Sequence, residues 1–149
     1  MITAEKECDL HMVKVIMGLK GSGKTKSLVE MIRKAAEEAH GDVVCIEKDK
    51  NLTYDIPYTV RLIHASEYGI NSSTLLRGFI SGLHAGNYDI THFFIDNFYK
   101  LVGDNKNPDD VVAFTQWLDR FAERENIEFV ISMSSDKEKC PEVMKQYLI

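Results

Sequence analysis

Between a β-branched run and a stretch of helical periodicity this chain has only Gly18 to Gly23, and three of those positions, Gly18, Gly21 and Gly23, are glycine. Val13 to Met17 reads as a short strand, and Lys24 to His40 sets Leu28, Ile32, Ala35 and Ala39 at helical spacing before Gly41. A strand that passes so quickly into a helix fixes a βα unit, and the strand after such a helix lies parallel to the first. The rest of the chain keeps this alternation. Strands are expected at Val43 to Ile46, Tyr58 to Ile63, Thr91 to Ile95 and Phe129 to Met133. Helices are expected at Ser72 to Ala85, capped by Asn71, and from Pro108 to about Glu125, with a short terminal helix at Pro141 to Leu148. Gly41 supplies the expected stop for the first helix. Strands that are apolar almost throughout and alternate with helices imply a three-layer α/β/α fold around a mostly parallel sheet.

The chain has 149 residues, 44% apolar and 28% charged, which suits one domain with a self-sufficient core. Residues 1–11 include Glu5, Glu7 and Asp9 without an apolar period, so they read as a disordered N-terminal tail ahead of a single domain at 12–149. Met12 stands where the first strand begins, and a start of translation there would make the preceding segment an extension. Eighteen basic against twenty-three acidic side chains give a net charge of -5. That balance argues against a nucleic-acid coat or a polybasic membrane binder. Cys8, Cys45 and Cys140 are odd in number and never paired as Cys-x-x-Cys, so neither a disulfide framework nor a zinc ribbon is expected. With no long apolar run and no signal-like N-terminus, the expected location is the cytoplasm, with no membrane contact.

Gly18-Leu19-Lys20-Gly21-Ser22-Gly23-Lys24-Thr25 fits a phosphate-binding pattern of two glycines with four residues between them, followed by Lys and Ser or Thr. Chance alone produces such a match in about one chain of this length in two hundred, and the flanking strand and helix sharpen it. The expected roles follow from chemistry. Gly18, Gly21 and Gly23 let the backbone turn with positive φ and bring its N–H groups against phosphate oxygens. Lys24 reaches the β- and γ-phosphates as a compact charge, and the Thr25 hydroxyl suits Mg²⁺, a hard ion that takes oxygen ligands. Lys20 and Lys26 add electrostatic pull. Mg²⁺ held only by Thr25 needs a second oxygen donor at the tip of a strand beside the first, and Phe93-Phe94-Ile95-Asp96 offers Asp96.

On these two motifs the chain resembles the P-loop NTPases over Met12 to Met133, with Gly18 to Thr25 as a Walker A loop and Asp96 as the Walker B aspartate. A GTPase is not the expected branch, because Asp96-Asn97-Phe98-Tyr99 lacks Asp-x-x-Gly and Asn105-Lys106-Asn107-Pro108 fails the guanine-reading pattern at its last position. The RecA-like branch is the closer resemblance. It implies a water-orienting Glu after the second strand, here Glu47, and a polar γ-phosphate sensor ending the strand after Asp96, here Ser132 or Ser134. Glu47 also lies in a charged run with Lys48, Asp49 and Lys50, which equally suits an exposed strand-end carboxylate. Asn97 stands where many such ATPases place the catalytic carboxylate.

Gly41 to Lys48, Leu52 to Pro57 and Glu67 to Ile70 together with the glycine-rich loop also resemble short ATP-binding proteins of anaerobic Gram-positive bacteria, some labelled twitching-motility ATPases. Pilus-retraction motors are much longer and carry acidic and histidine boxes, so this resemblance implies nucleotide binding alone. The expectation is therefore a protein that binds Mg-ATP and hydrolyses it slowly, with ATP and Mg²⁺ as cofactors. The alternatives are a nucleotide-sensing interaction module with little turnover and a small-molecule phosphotransferase. With 12–133 taken up by the nucleotide core, specificity falls to the loops at 47–70 and 97–108, to a second copy of the chain, or to a protein partner.

Overall fold

The structure, a computed structural model, describes residues 11–149. The expected tail therefore lies outside the described residues except for His11, whose ring meets Tyr147 edge-on at 5.5 Å. The strands are β1 (Val13–Gly18), β2 (Asp42–Glu47), β3 (Arg61–His64), β4 (Ile90–Ile95) and β5 (Glu128–Ser134). The α-helices are α1 (Lys24–Glu38), α2 (Ser73–Gly86), α3 (Phe98–Leu101) and α4 (Pro108–Glu125). The sheet order is β1-β5-β4-β2-β3, and every neighbouring pair is parallel. All five strands consequently end at the same edge, where Gly18, Glu47, His64, Ser134 and, just past β4, Asp96 collect.

Side chains alternate across the strands, so even these largely buried runs feed two separate cores. On one face Val13, Val15, Met17, Phe93, Ile95, Phe129 and Ile131 pack with Leu76 and Ile80 of α2 and with Val111, Phe114, Leu118 and Phe121 of α4. On the other, Ile16, Cys45, Phe94 and Val130 pack under Leu28, Val29 and Ile32 of α1 and under Leu52, Ile56 and Val60 of the β2–β3 loop. The expected α/β/α layering is thus an all-parallel sheet with helices on both faces. Cys45 and Cys140 are buried free thiols. No helix of the described residues is long and apolar enough to cross a membrane.

Several local expectations change. Tyr58 to Val60 are not strand, because the Val60 N–H donates to Pro57 O at 3.0 Å and closes a turn; β3 starts only at Arg61. Ser72 rather than Asn71 caps α2, its Oγ accepting the Leu75 N–H at 3.1 Å. The terminal segment is a 3₁₀-helix over Glu142–Tyr147, and Leu148 bridges to Val15 beside β1. Gly41 is not the stop of α1, which ends at Glu38 with Ala39 already extended. A side chain at Gly41 would meet the Asp89 carbonyl and the Thr91 methyl, so glycine there permits the close approach of β2's entry to the turn before β4.

Gly41→Ala should therefore destabilise the fold by about 1–3 kcal/mol, the usual cost of forcing atoms into packed space. Urea denaturation of the two proteins checks this, and an unchanged midpoint contradicts the close approach.

Candidate functional site

The turn from β1 into α1 adopts the shape that its glycines allow. Gly21 and Gly23 have φ of 85° and 87°, the left-handed region that costs a side-chain-bearing residue energy. The Ser22 N–H closes a turn on Leu19 O at 3.1 Å, and the Ser27 N–H makes the first helical bond to Gly23 O at 3.1 Å. Gly18 plays a different part from the one expected. It closes β1 without a positive φ, and a Cβ on it would collide with Ser22 Oγ, so its lack of a side chain makes room for the loop folding back. At Gly23 no side chain caps α1 and no acidic residue stands in its first turn, which leaves the helix's positive end open toward the loop.

Beside this loop is a cleft of about 410 Å³ lined by Lys20, Gly21, Gly23, Lys24, Thr25, Lys26, Asp96, Asn97, Ser132 and Ser134. The structure thus brings most of the sequence-selected residues together. Gly18, Leu19 and Ser22 belong to the loop but not to the cleft wall, and the Leu19 side chain is exposed. The Leu19 carbonyl accepts the Lys24 Nζ donor at 2.9 Å, so the ammonium is folded back on its own loop. Partial burial lowers the Lys24 pKa, and the Asp96 carboxylate opposes that shift.

Asp96 is only 9% exposed, and burial raises its pKa. Its partners resist that shift in the order Ser132 hydroxyl, Lys100 charge, Thr25 hydroxyl and Lys24 charge. Ser132 Oγ donates to Asp96 Oδ1 at 3.1 Å and accepts the Asn97 N–H at 2.8 Å, clasping both residues. The expectation that the Asp96 strand lies beside β1 is corrected by β5, which stands between β1 and β4. Thr25 and Ser132 bridge that gap. Asn97 has φ 55° and ψ 65°, a left-handed conformation that asparagine tolerates better than most residues. Ser132 and Ser134, the two candidate sensors, both line the cleft, and Ser132, 1% exposed, is the one that holds Asp96.

Glu47 is placed elsewhere. It is 1% exposed and does not line the cleft. Its Oε1 accepts the Asn51 N–H at 2.9 Å and its Oε2 the Leu52 N–H at 3.1 Å, while His64 Nε2 lies 3.6 Å from Oε2. Burial raises its pKa against those two backbone donors. The charged run at 47–50 suggested exposure, and the buried Glu47 instead pins the first turn of the β2–β3 loop. Arg33 of α1 holds the same loop farther on, donating twice to Asp55 O at 3.1 and 3.0 Å.

Two features near Asp96 have no signature in the sequence. One is the single-turn helix α3 directly after Asp96, too short to show a helical period. The other is the charge of Lys100, which does not line the cleft but acts on the Asp96 carboxylate. Among the described residues no group of three or more His, Cys, Asp or Glu side chains could hold a metal ion. Thr25 and Asp96 nonetheless offer adjacent hard oxygens that fit Mg²⁺, an ion commonly held by one or two protein donors with phosphate and water completing its shell. No protein-family model matches the chain. No curated protein matches it either.

The raised Asp96 pKa gives a signed prediction. The native state binds this proton more tightly than the unfolded chain, whose Asp titrates at ~3.9, so the cost of ionising Asp96 grows as pH rises from about 4 through the folded pKa. Asp96→Asn removes that cost while keeping an acceptor for Ser132. Without metal it should melt higher at pH 7 than the wild type, with the gap narrowing toward pH 4. Calorimetric scans across that range check it, and a lower melting temperature at pH 7 speaks against a buried carboxylate whose partners only partly offset its burial.

Proposed function

We propose that this protein binds Mg-ATP in the cleft between the glycine-rich loop and Asp96 and hydrolyses it slowly. The observation that carries the reading is the convergence of unlike groups on one cleft. Left-handed Gly21 and Gly23, the uncapped start of α1 and Lys24 meet the Thr25–Asp96 oxygen pair there. In this reading the loop amides and helix end take the phosphates, and Lys24 swings from Leu19 O to the β- and γ-phosphate oxygens. Thr25 and Asp96 hold Mg²⁺, which when bound neutralises phosphate charge. Asp96 takes its place from the Ser132 clasp.

Slow turnover follows from what the cleft lacks. In hydrolysis a water oxygen bonds to the terminal phosphorus as the bond to the bridging oxygen breaks, the diphosphate leaving with the electron pair and the water's proton passing to a phosphate oxygen. No carboxylate other than Asp96 lines the described cleft to orient that water. Glu47 has both oxygens committed to loop amides, and Asn97 carries no charge. The RecA-like assignment belongs to the same proposal and draws on Ser132 and Ser134 lying on the strand between the loop strand and Asp96. A second reading, a nucleotide-sensing module that passes its state to a protein partner or second copy, draws on Asn97. This left-handed residue joins Asp96 to α3, and Phe98 of α3 packs on Phe114 of α4 at 4.8 Å. A phosphotransferase reading has no such support.

Lys24→Ala should abolish most of the thermal stabilisation by Mg-ATP, which for a ligand at a hundred times its Kd amounts to about 2.7 kcal/mol. Equal shifts in both proteins would place nucleotide elsewhere. Glu47→Gln should leave phosphate release per molecule within about twofold of wild type. A drop of about 10² or more, the scale of general-base catalysis, would return Glu47 to the reaction.

A further inference from the structure

The cleft beside the glycine-rich loop is walled by glycine backbone, lysines, hydroxyls and the Asp96–Asn97 pair, and no aromatic or aliphatic side chain of the described residues lines it. Lys20 and Lys26 flank Lys24 in this wall, are exposed, and make no hydrogen bond or ion pair among the described residues. Against these lysines the wall sets one carboxylate, Asp96, which Ser132 Oγ already holds at 3.1 Å. The loop is also uncovered. A Cβ added at Gly21 or Gly23 would meet nothing within 4 Å beyond its chain neighbours, and Leu19, the loop's one aliphatic side chain, is 62% exposed outside the cleft wall. The most exposed rings of the chain lie elsewhere: Tyr54 borders a separate cleft with Arg33, and Tyr58 another with Arg61.

We propose that this cleft reads the phosphate chain and not the nucleoside: its ligands are nucleoside triphosphates of any base and inorganic tripolyphosphate alike, with Lys20 and Lys26 taking phosphate oxygens beside Lys24. The proposal rests on the Mg-nucleotide reading given above and widens its ligand class. Telling one base from another takes a ring to stack on, or donors and acceptors set against the base edge, and either separates ligands by about tenfold or more. The cleft supplies no ring. Its uncharged polar groups sit at the phosphate and metal end instead: Ser132 is engaged with Asp96, Asn97 follows Asp96, and Ser134 pairs in the sheet with Gly18, where the loop begins. A nucleoside attached to the chain of phosphates therefore passes out over the uncovered loop into solvent, and the binding energy comes from charge-assisted hydrogen bonds to phosphate oxygens.

Titration calorimetry of the full chain with Mg-ATP, Mg-GTP, Mg-UTP and magnesium tripolyphosphate tests this. The affinities should agree within about fivefold, and Lys20→Met combined with Lys26→Met should weaken every one of them by a common factor of about tenfold or more, the scale of lost charge-assisted hydrogen bonds. Adenosine at millimolar concentration should not displace Mg-ATP. A wider spread among the bases, weaker binding of tripolyphosphate by more than about fivefold, displacement by adenosine, or a double variant that leaves any of the affinities unchanged overturns the proposal. If the wild type binds none of these ligands, the Mg-nucleotide reading falls and this one with it, whereas binding of Mg-ATP in clear preference to the others refutes this inference alone. Melting without ligand reports the folding of the double variant; should it not fold, Lys20→Gln with Lys26→Gln supplies the same comparison.

Discussion

Everything in this molecule follows from a sheet whose strands are all parallel and covered on both faces. Such a sheet cannot place polar chemistry on its faces without burying unpaired groups, so chemistry is confined to the strand ends. Because the strands run one way, their C-terminal ends fall along one edge, and a βα turn there can join its backbone donors to side chains from neighbouring strands. Gly18, Ser132, Ser134, Asp96 and Glu47 are all strand-end residues of this kind, and Lys24 and Thr25 open the helix that leaves the first strand. The cleft is a consequence of topology before it is a consequence of any residue.

The interposition of β5 between β1 and β4 gives the site its second layer of control. Were β4 beside β1, Asp96 could face the glycine-rich loop directly. With β5 between them, the Ser132 hydroxyl sits where it can donate to Asp96 and accept from Asn97. One buried side chain thus sets both the carboxylate and the left-handed residue that leads into α3. Past Asp96 the chain runs through Asn97 to Phe98, which packs on Phe114 of α4. The β2–β3 loop has a comparable but separate restraint, held at its start by Glu47 and farther on by Arg33.

Much of this was legible in the residues, for identifiable reasons. The helices α1, α2 and α4 declared themselves because each is long enough for several apolar repeats, and Pro108 marks the start of α4 by its fixed φ; the cap that Asn107 supplies there emerged only in the structure. The glycine-rich turn was legible because few residue types can fold that way. What was not legible depended on contacts across the chain. The burial of Glu47 is created by the loop that folds back over it, and nothing in Glu47-Lys48-Asp49-Lys50 announces that. Gly41 resembled a helix stop because the Asp89 carbonyl it accommodates is distant in sequence. The order of strands, which put β5 between β1 and β4, has no local signature, and α3 is shorter than any period that could reveal it.

Whether one cleft joins the glycine-rich loop to Asp96 around a magnesium nucleotide is decided by amide chemical-shift mapping of the isotope-labelled protein during titration with Mg-ATP. Saturable shifts should concentrate at Gly18 to Lys26, Asp96, Asn97 and Ser132 to Ser134. Saturable shifts centred on other surfaces, or none at millimolar Mg-ATP, would contradict it.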